Sequence, residues 1–192
     1  MSTAHRVMLS LQDIAQLFAR KGGEMYSGEP VTQLQHALQS AQLAEQLKDQ
    51  QGGDDELVTA ALLHDLGHLL HDLGETPTLR GIDDAHQHAA LPHLQGLFSA
   101  RVLGAIGLHV DAKRYLCATR NGYHAALSAD SQRSLLLQGG AFNEPQCEAF
   151  MRKRGATDAV ALRLCDDAAK DAHAVTPPLA HFLARAQRCA LS

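Results

Sequence analysis

The stretch Leu62–Glu75 reads LLHDLGHLLHDLGE and carries His-Asp twice, at His64-Asp65 and at His71-Asp72. An imidazole or carboxylate taken out of water without a partner costs on the order of 2–7 kcal/mol as a polar group, and more as a charge. A metal ion offsets that cost, since both groups are ordinary ligands for divalent metals. Neighbouring side chains on a helix point about 100° apart, so His64 and Asp65 diverge. They suit a site where the histidine holds one ion and the carboxylate reaches across to a second. His68 lies one predicted turn beyond His64, where it can support a ligand or meet a substrate oxygen. The two copies share a helix face but sit about 10.5 Å apart along the axis, too far for one dinuclear centre. The first follows the buried run ELVTAALL, whereas the second leads into GETPTLRG. His71-Asp72 therefore reads as a polar helix terminus, its histidine at the negative end of the dipole.

Twelve histidines against three tyrosines and no tryptophan make a ligand-rich composition. Candidate partners stand along the chain at His36, at His86 or His88, at His109, and at Asp166 or Asp167. Imidazole and carboxylate without thiolate suit Zn, Fe, Mn or Ni, so residue types alone do not name the metal. The four cysteines are scattered with no C-x-x-C pair, the pattern of reduced thiols.

Helices must position these groups. Apolar residues recur at three and four from Met8 to Phe18, and again at Leu34, Leu38, Ala41 and Ala44 beside His36. Asp54 or Asp55 can cap the next segment, and ELVTAALLHDLGHLL is apolar on nearly every side, the mark of one central buried helix. Further segments are expected over Ala85–Gly96 and Ser99–Leu108, with RYLCATRNGY as a broken stretch. After them come a helix opened by Ser128 or Asp130, one begun at Asn143-Glu144-Pro145, and the spans Ala156–Lys170 and Leu179–Ala190. No strand alternation stands out, so the expected fold is all-α. With 192 residues, 45% hydrophobic and 20% charged, a single domain can bury a sizeable core. A net charge of −4 gives no basic field for nucleic acid, and no run of 18 apolar residues suggests a membrane span. With no leader-like N-terminus, the cytoplasm is the expected location.

The order His36, His64-Asp65, His86 or His88, His109, Asp166 resembles the HD-domain superfamily, a bundle of about five core helices. YSGEPVTQLQHALQ, HVDAKRYL, LSADSQRSLLLQGG and RLCDDAAK narrow the likeness to its phosphonate-cleaving mixed-valent diiron oxygenases of the PhnZ and TmpB type. This resemblance implies six ligands, His36, His64, Asp65, His86, His109 and Asp166, holding an Fe(II)/Fe(III) pair with Asp65 bridging. It implies Lys113, Arg163, His68 and Ser131 as phosphonate contacts, with Asp65, Lys113 and His68 at the chemistry. It also implies Tyr26 and Glu29 as a lid pair in which the carboxylate occupies an iron position until substrate displaces it. Residues 25–30 would form the lid, 31–170 the metal-binding core and 171–192 the C-terminal helix.

The implied reaction takes dioxygen and a 1-hydroxy-2-(trimethylammonio or amino)ethylphosphonate to glycine betaine or glycine plus phosphate. An Fe(II)/2-oxoglutarate hydroxylase would act upstream. Nothing in the sequence decides between the two head groups. The competing reading is a metal-dependent HD-domain phosphohydrolase acting on a phosphate ester or nucleotide.

Overall fold

A computed structural model describes residues 8–26, 28–51, 54–71, 73 and 76–191. Its α-helices, in chain order, are α1 Leu11–Lys21, α2 Gln33–Gln51, α3 Asp55–Leu63, α4 His86–Ala89, α5 Leu91–Leu94, α6 Ala100–Thr119, α7 Tyr123–Ala126, α8 Ala129–Leu137, α9 Glu144–Met151, α10 Ala156–Ala168 and α11 Leu179–Cys189. The described residues form no strand, only isolated bridges, so the all-α expectation holds. Among the described residues no helix is long and apolar enough to cross a membrane.

Short polar residues start the helices where the sequence places them. Ser10 and Asp13 form a reciprocal cap on α1, and Thr32 with Gln35 does the same on α2, each side chain bonding the other's backbone N–H at 3.2 and 2.8 Å. Asp54 accepts from the Leu57 N–H at 3.0 Å to start α3. Within α3 every residue from Leu57 to Leu63 is buried, and each fully buried Val or Leu stabilises the fold by about 1.5–3 kcal/mol. Around this axis pack α2, α6, α10 and α11, a core of five helices.

Three sequence expectations are corrected. The central helix does not run through HDLGHLL: α3 ends at Leu63, and after a turn at His64-Asp65 the chain continues as a 3-10 segment, Leu66–Leu70. Gly67 lets this segment pass close to the His86 backbone, since a Cβ there would lie 2.1 Å from the His86 carbonyl oxygen. His71 then has extended backbone and ends no α-helix, while Asp72 lies outside the described residues. The expected helix over 85–96 is two short ones, α4 and α5, with Pro92 in the first turn of α5 and lacking an N–H to donate. Conversely, α6 runs unbroken through Arg114–Thr119, because Ala112, Lys113 and Leu116 are buried on its inner face.

Candidate metal centre

His36 comes from α2, His64 and Asp65 from the end of α3, His86 from the start of α4, His109 from α6 and Asp166 from α10. The bundle gathers all six, and each is buried. Asp65 stands in the middle. Its Oδ2 faces one group, at 3.3 Å from His64 Nε2 and 3.6 Å from His36 Nε2. Asp166 completes that group, at 3.4 Å from His36 Nε2 and 3.8 Å from His64 Nε2. Asp65 Oδ1 faces a second group, at 3.2 Å from His86 Nε2 and 3.5 Å from His109 Nε2. The two histidines within each group stand 3.2 Å and 3.1 Å apart.

The protonation of these rings follows from their outer contacts. His36 Nδ1 lies 2.9 Å from the Ala169 carbonyl, His64 Nδ1 2.9 Å from that of Ala61, and His109 Nδ1 2.7 Å from that of Ile106. His86 Nδ1 lies 2.8 Å from Asp84 Oδ1. Each of these partners only accepts, so each Nδ1 donates and leaves an Nε2 lone pair directed inward. Inward lone pairs about 3 Å apart repel unless a cation sits among them. Both Asp65 oxygens and Asp166 Oδ1 are buried without a hydrogen-bond donor. At a metal–ligand bond of ~2.1 Å, neighbouring ligand atoms stand about 3.0 Å apart in an octahedron and 3.4 Å in a tetrahedron. The donor set thus fits metal on both sides of Asp65.

Electrostatics divide the two groups. Burial opposes charge on His64, but Asp65 and Asp166 outweigh it and raise its pKa to about 10, a proton whose place a bound cation takes. Burial, helped by the charges of His64 and His86, pushes His109 down to about 4. Both carboxylates lie well below their usual range despite burial, Asp65 through His64 and His86, Asp166 through Arg163 and His36.

His86 is singled out from its neighbours. Ala85 adopts φ +48°, a left-handed conformation costing on the order of 1–2 kcal/mol for a residue with a Cβ. That turn sends His86 inward while His88 is exposed. His68 stacks on His86 at 4.1 Å, donates from Nδ1 to Asp84 Oδ2 at 2.7 Å and brings Nε2 to 3.9 Å from Asp65. Burial opposes its protonation, but Asp65 and Asp84 raise its pKa. His71 Nε2 lies 3.3 Å from the same Asp84 carboxylate. The second HDLG therefore contributes a support to the first, through a residue that sequence reasoning passed over. A carboxylate two positions before a ligand candidate was the available signal.

A pocket opens on the centre between α6, α8 and the segment Pro77–Asp84, and Lys113, Arg163, His68, Ser131 and Tyr26 all line it. Lys113 is 2% exposed and donates to Ser134 Oγ at 2.7 Å. Burial and the nearby Arg163 lower its pKa to about 7. Ser134 escaped the sequence reading. Ser128, not Ser131, caps α8, which leaves the Ser131 side chain available to the pocket. Arg163 is more committed than expected: it reaches Asp166 at 2.8 Å, pairs with Asp167 and donates to the Tyr123 hydroxyl at 3.3 Å. Asp167 is thus the partner of a basic group and stands outside the cluster.

Tyr26 covers the centre, its ring parallel to that of His36 at 3.9 Å. Burial and the charges of Asp65 and Asp166 raise its pKa well above the usual phenol value, so it stays neutral. The Glu29 carboxylate pairs with Lys170 Nζ at 3.0 Å, just beyond the end of α10.

The HD domain family model matches residues 34–116. A 1-hydroxy-2-(trimethylamino)ethylphosphonate dioxygenase (glycine-betaine-forming) of Leisingera caerulea is 38% identical over 175 residues, 91% of this chain and 87% of that protein. A hydroxymethylphosphonate dioxygenase of Gimesia maris is 35% identical over 198 residues, 96% of each chain. An uncharacterized protein of Acanthamoeba polyphaga mimivirus is 30% identical across 92% of this chain and 80% of its own length.

Proposed function

Because the chain belongs to the HD-domain family of phosphonate-cleaving dioxygenases, we propose that it oxidatively cleaves the C–P bond of a 1-hydroxyalkylphosphonate, giving a carboxylate and inorganic phosphate. The observation that carries this reading is Asp65, a buried carboxylate whose two unpartnered oxygens face two separate groups of inward-directed imidazoles. His36, His64 and Asp166 would hold one iron, His86 and His109 the other, with Asp65 between them. An Fe(II)/Fe(III) pair, when bound, supplies redox chemistry toward dioxygen that the side chains lack.

The chain's own residues bind, orient and protect. Lys113 brings a buried ammonium, held by a hydroxyl and not by a carboxylate, to meet the phosphonate dianion. Ser131 and Ser134 add neutral donors beside it. Arg163 fixes Asp166 and lines the same pocket, adding positive charge beside the anion. His68, protonated and oriented by Asp84, presents Nε2–H to a substrate oxygen. Tyr26 excludes water from the face of His36.

The balance needs no outside reductant. The C–P bond, one C1–H bond and the O–O bond break, and a C–O and a P–O bond form. C1 loses the four electrons that dioxygen gains, and one proton is released. A hydroxylase of the Fe(II)/2-oxoglutarate class, which installs a C1 hydroxyl on a phosphonate, would supply the substrate. The single-domain reading is supported by α11, which packs against α3 as part of the wall around it.

The test is anaerobic iron loading followed by EPR with and without a 1-hydroxyphosphonate. The expected result is a coupled mixed-valent signal that changes on substrate addition. Its absence, with phosphate-ester hydrolysis under Mn(II), refutes the reading.

A further inference from the structure

Arg163 is pinned at three of its nitrogens. Nη1 donates to Asp166 Oδ2 at 2.8 Å, Nη2 donates to Asp167 Oδ1, and Nε donates to the Tyr123 hydroxyl at 3.3 Å. The Tyr123 O–H in turn donates to Asp167 Oδ2. A carboxylate only accepts, so the single phenolic proton goes to Asp167 and an oxygen lone pair faces Nε–H. Burial raises the pKa of this phenol and Asp167 adds to it against the opposing charge of Arg163, so the hydroxyl stays protonated.

Tyr123 opens α7 after Gly122 at φ +77°, and it is the residue that this short helix buries. Its ring packs with Leu116, Leu127 and Leu135, which leaves the hydroxyl as the polar tip of an otherwise apolar side chain. Tyr123 and Asp167 line an open depression together with Arg120 and Asn121, whereas Arg163 and Asp166 line the pocket on the metal centre. Tyr123 therefore meets that pocket through Arg163. The shape of the guanidinium gives the contact its consequence. Nε–H and the outward N–H of Nη2 run along one edge of the plane, the edge that a carboxylate can take with both oxygens at once. Here the Tyr123 hydroxyl stands between Nε and Asp167 Oδ2, so Asp167 takes one N–H instead of two.

Resting on the hydroxyphosphonate reading above, we propose that Tyr123 is a positioning residue for anion binding: its hydroxyl keeps Asp167 from closing a two-point fork on Arg163, and so keeps the guanidinium charge at Asp166 and beside the phosphonate dianion. Tyr123→Phe leaves the ring in its apolar packing and orphans two groups that face each other, Nε–H and Asp167 Oδ2. They satisfy one another by forming the fork, which draws the guanidinium toward Asp167 and neutralises it there. Asp167→Asn removes that outcome, because an amide offers one acceptor oxygen and no charge.

The test uses the iron-loaded protein, with iron content by mass spectrometry, anaerobic calorimetry with inorganic phosphate as the anion probe, and aerobic turnover of a 1-hydroxyphosphonate. Tyr123→Phe should hold as much iron as wild type, and its Kd for phosphate and its KM should each rise about 10-fold, the scale of one hydrogen bond to a charged group. Its kcat should stay nearly unchanged, the mark of lost uniform binding. Tyr123→Phe with Asp167→Asn should recover most of the lost affinity. Unchanged phosphate affinity in a folded Tyr123→Phe protein overturns the inference, and so does loss of iron or a fall in kcat in place of the rise in KM. A double variant that binds no better than Tyr123→Phe also overturns it, since a purely structural role gives additive damage. If Tyr123→Phe does not fold, Asp167→Asn alone decides: phosphate bound as tightly as by wild type or tighter upholds the inference, and weaker binding overturns it. Should wild type release phosphate from no 1-hydroxyphosphonate, the C–P-cleaving reading falls, while the phosphate affinities still decide the role of Tyr123.

Discussion

Replacing Lys113 with methionine should make this protein more stable and far less active. Met fills a similar unbranched volume and removes an ammonium whose pKa is lowered to about 7 from 10.5 by burial and Arg163. For a base whose folded pKa lies below its unfolded one, folding is opposed wherever the unfolded side chain is charged. Stability is therefore lost as pH falls from the unfolded value toward the folded one. The full cost below pH 7 is 3.5 units at 1.36 kcal/mol each, about 5 kcal/mol, and it is about 4 at pH 7 and about 2 at pH 9. Losing the hydrogen bond to Ser134 returns about 1.5–3 kcal/mol. Lys113→Met should thus gain about 1–3 kcal/mol at pH 7, roughly 3–10 °C in Tm for a chain of this size, and little or nothing at pH 9. Urea unfolding of chelator-treated wild type and variant at pH 7 and pH 9 measures the gain. Phosphate release measures the expected 10- to 100-fold fall in kcat/KM, the scale of a lost charge-assisted hydrogen bond. A variant that is less stable at pH 7, or a difference that does not change with pH, refutes the buried-cation argument. Unchanged kcat/KM refutes its functional role.

The same residue makes kcat/KM fall as pH rises through about 7, because the dianion needs the protonated amine; Lys113→Arg, which stays charged, should flatten that limb in a pH–rate profile. Gly67→Ala places a Cβ 2.1 Å from the His86 carbonyl, so it should cost about 1–3 kcal/mol as overpacking and lower the iron content per chain measured by mass spectrometry. Asp84→Ala removes the acceptor that orients both His86 and His68 and should weaken metal affinity about 10- to 100-fold, read by competition with a chelator. His109→Ala should abolish binding of the second iron with helical circular dichroism intact, whereas His71→Ala should leave iron content nearly unchanged.

Periodicity and caps made the bundle legible. The positions of α1, α2, α8, α9, α10 and α11 follow from apolar spacing and, for α8 and α9, from Ser and Asn starts, all local properties of the chain. Among the ligand candidates, His64-Asp65 stand out in an apolar run, whereas the choice of His86 over His88 and of Asp166 over Asp167 rests on the family resemblance. What escaped depends on contacts between distant segments. After the break at Leu63, Gly67 passes close to the His86 carbonyl, a contact that nothing within ELVTAALLHDLGHLL announces. The continuity of α6 is decided by burial against α10 and α8. Glu29 pairs with a lysine on the far side of the sequence, and Asp84 supports histidines from two other segments. Tyr26 was read as part of a lid, but its stacking on His36 needed the fold. The doubled HDLG shows the same division: its sequence suggests a repeat, while in the structure His71 reaches the Asp84 carboxylate that supports the first copy.

The central claim is that dioxygen, not water, breaks the substrate's bond to phosphorus. The direct measurement is oxygen uptake against phosphate release by the iron-loaded protein given hydroxymethylphosphonate. One dioxygen consumed per phosphate released, with no phosphate formed under strict anaerobiosis, is the predicted result. Phosphate released at the same rate without dioxygen would contradict it.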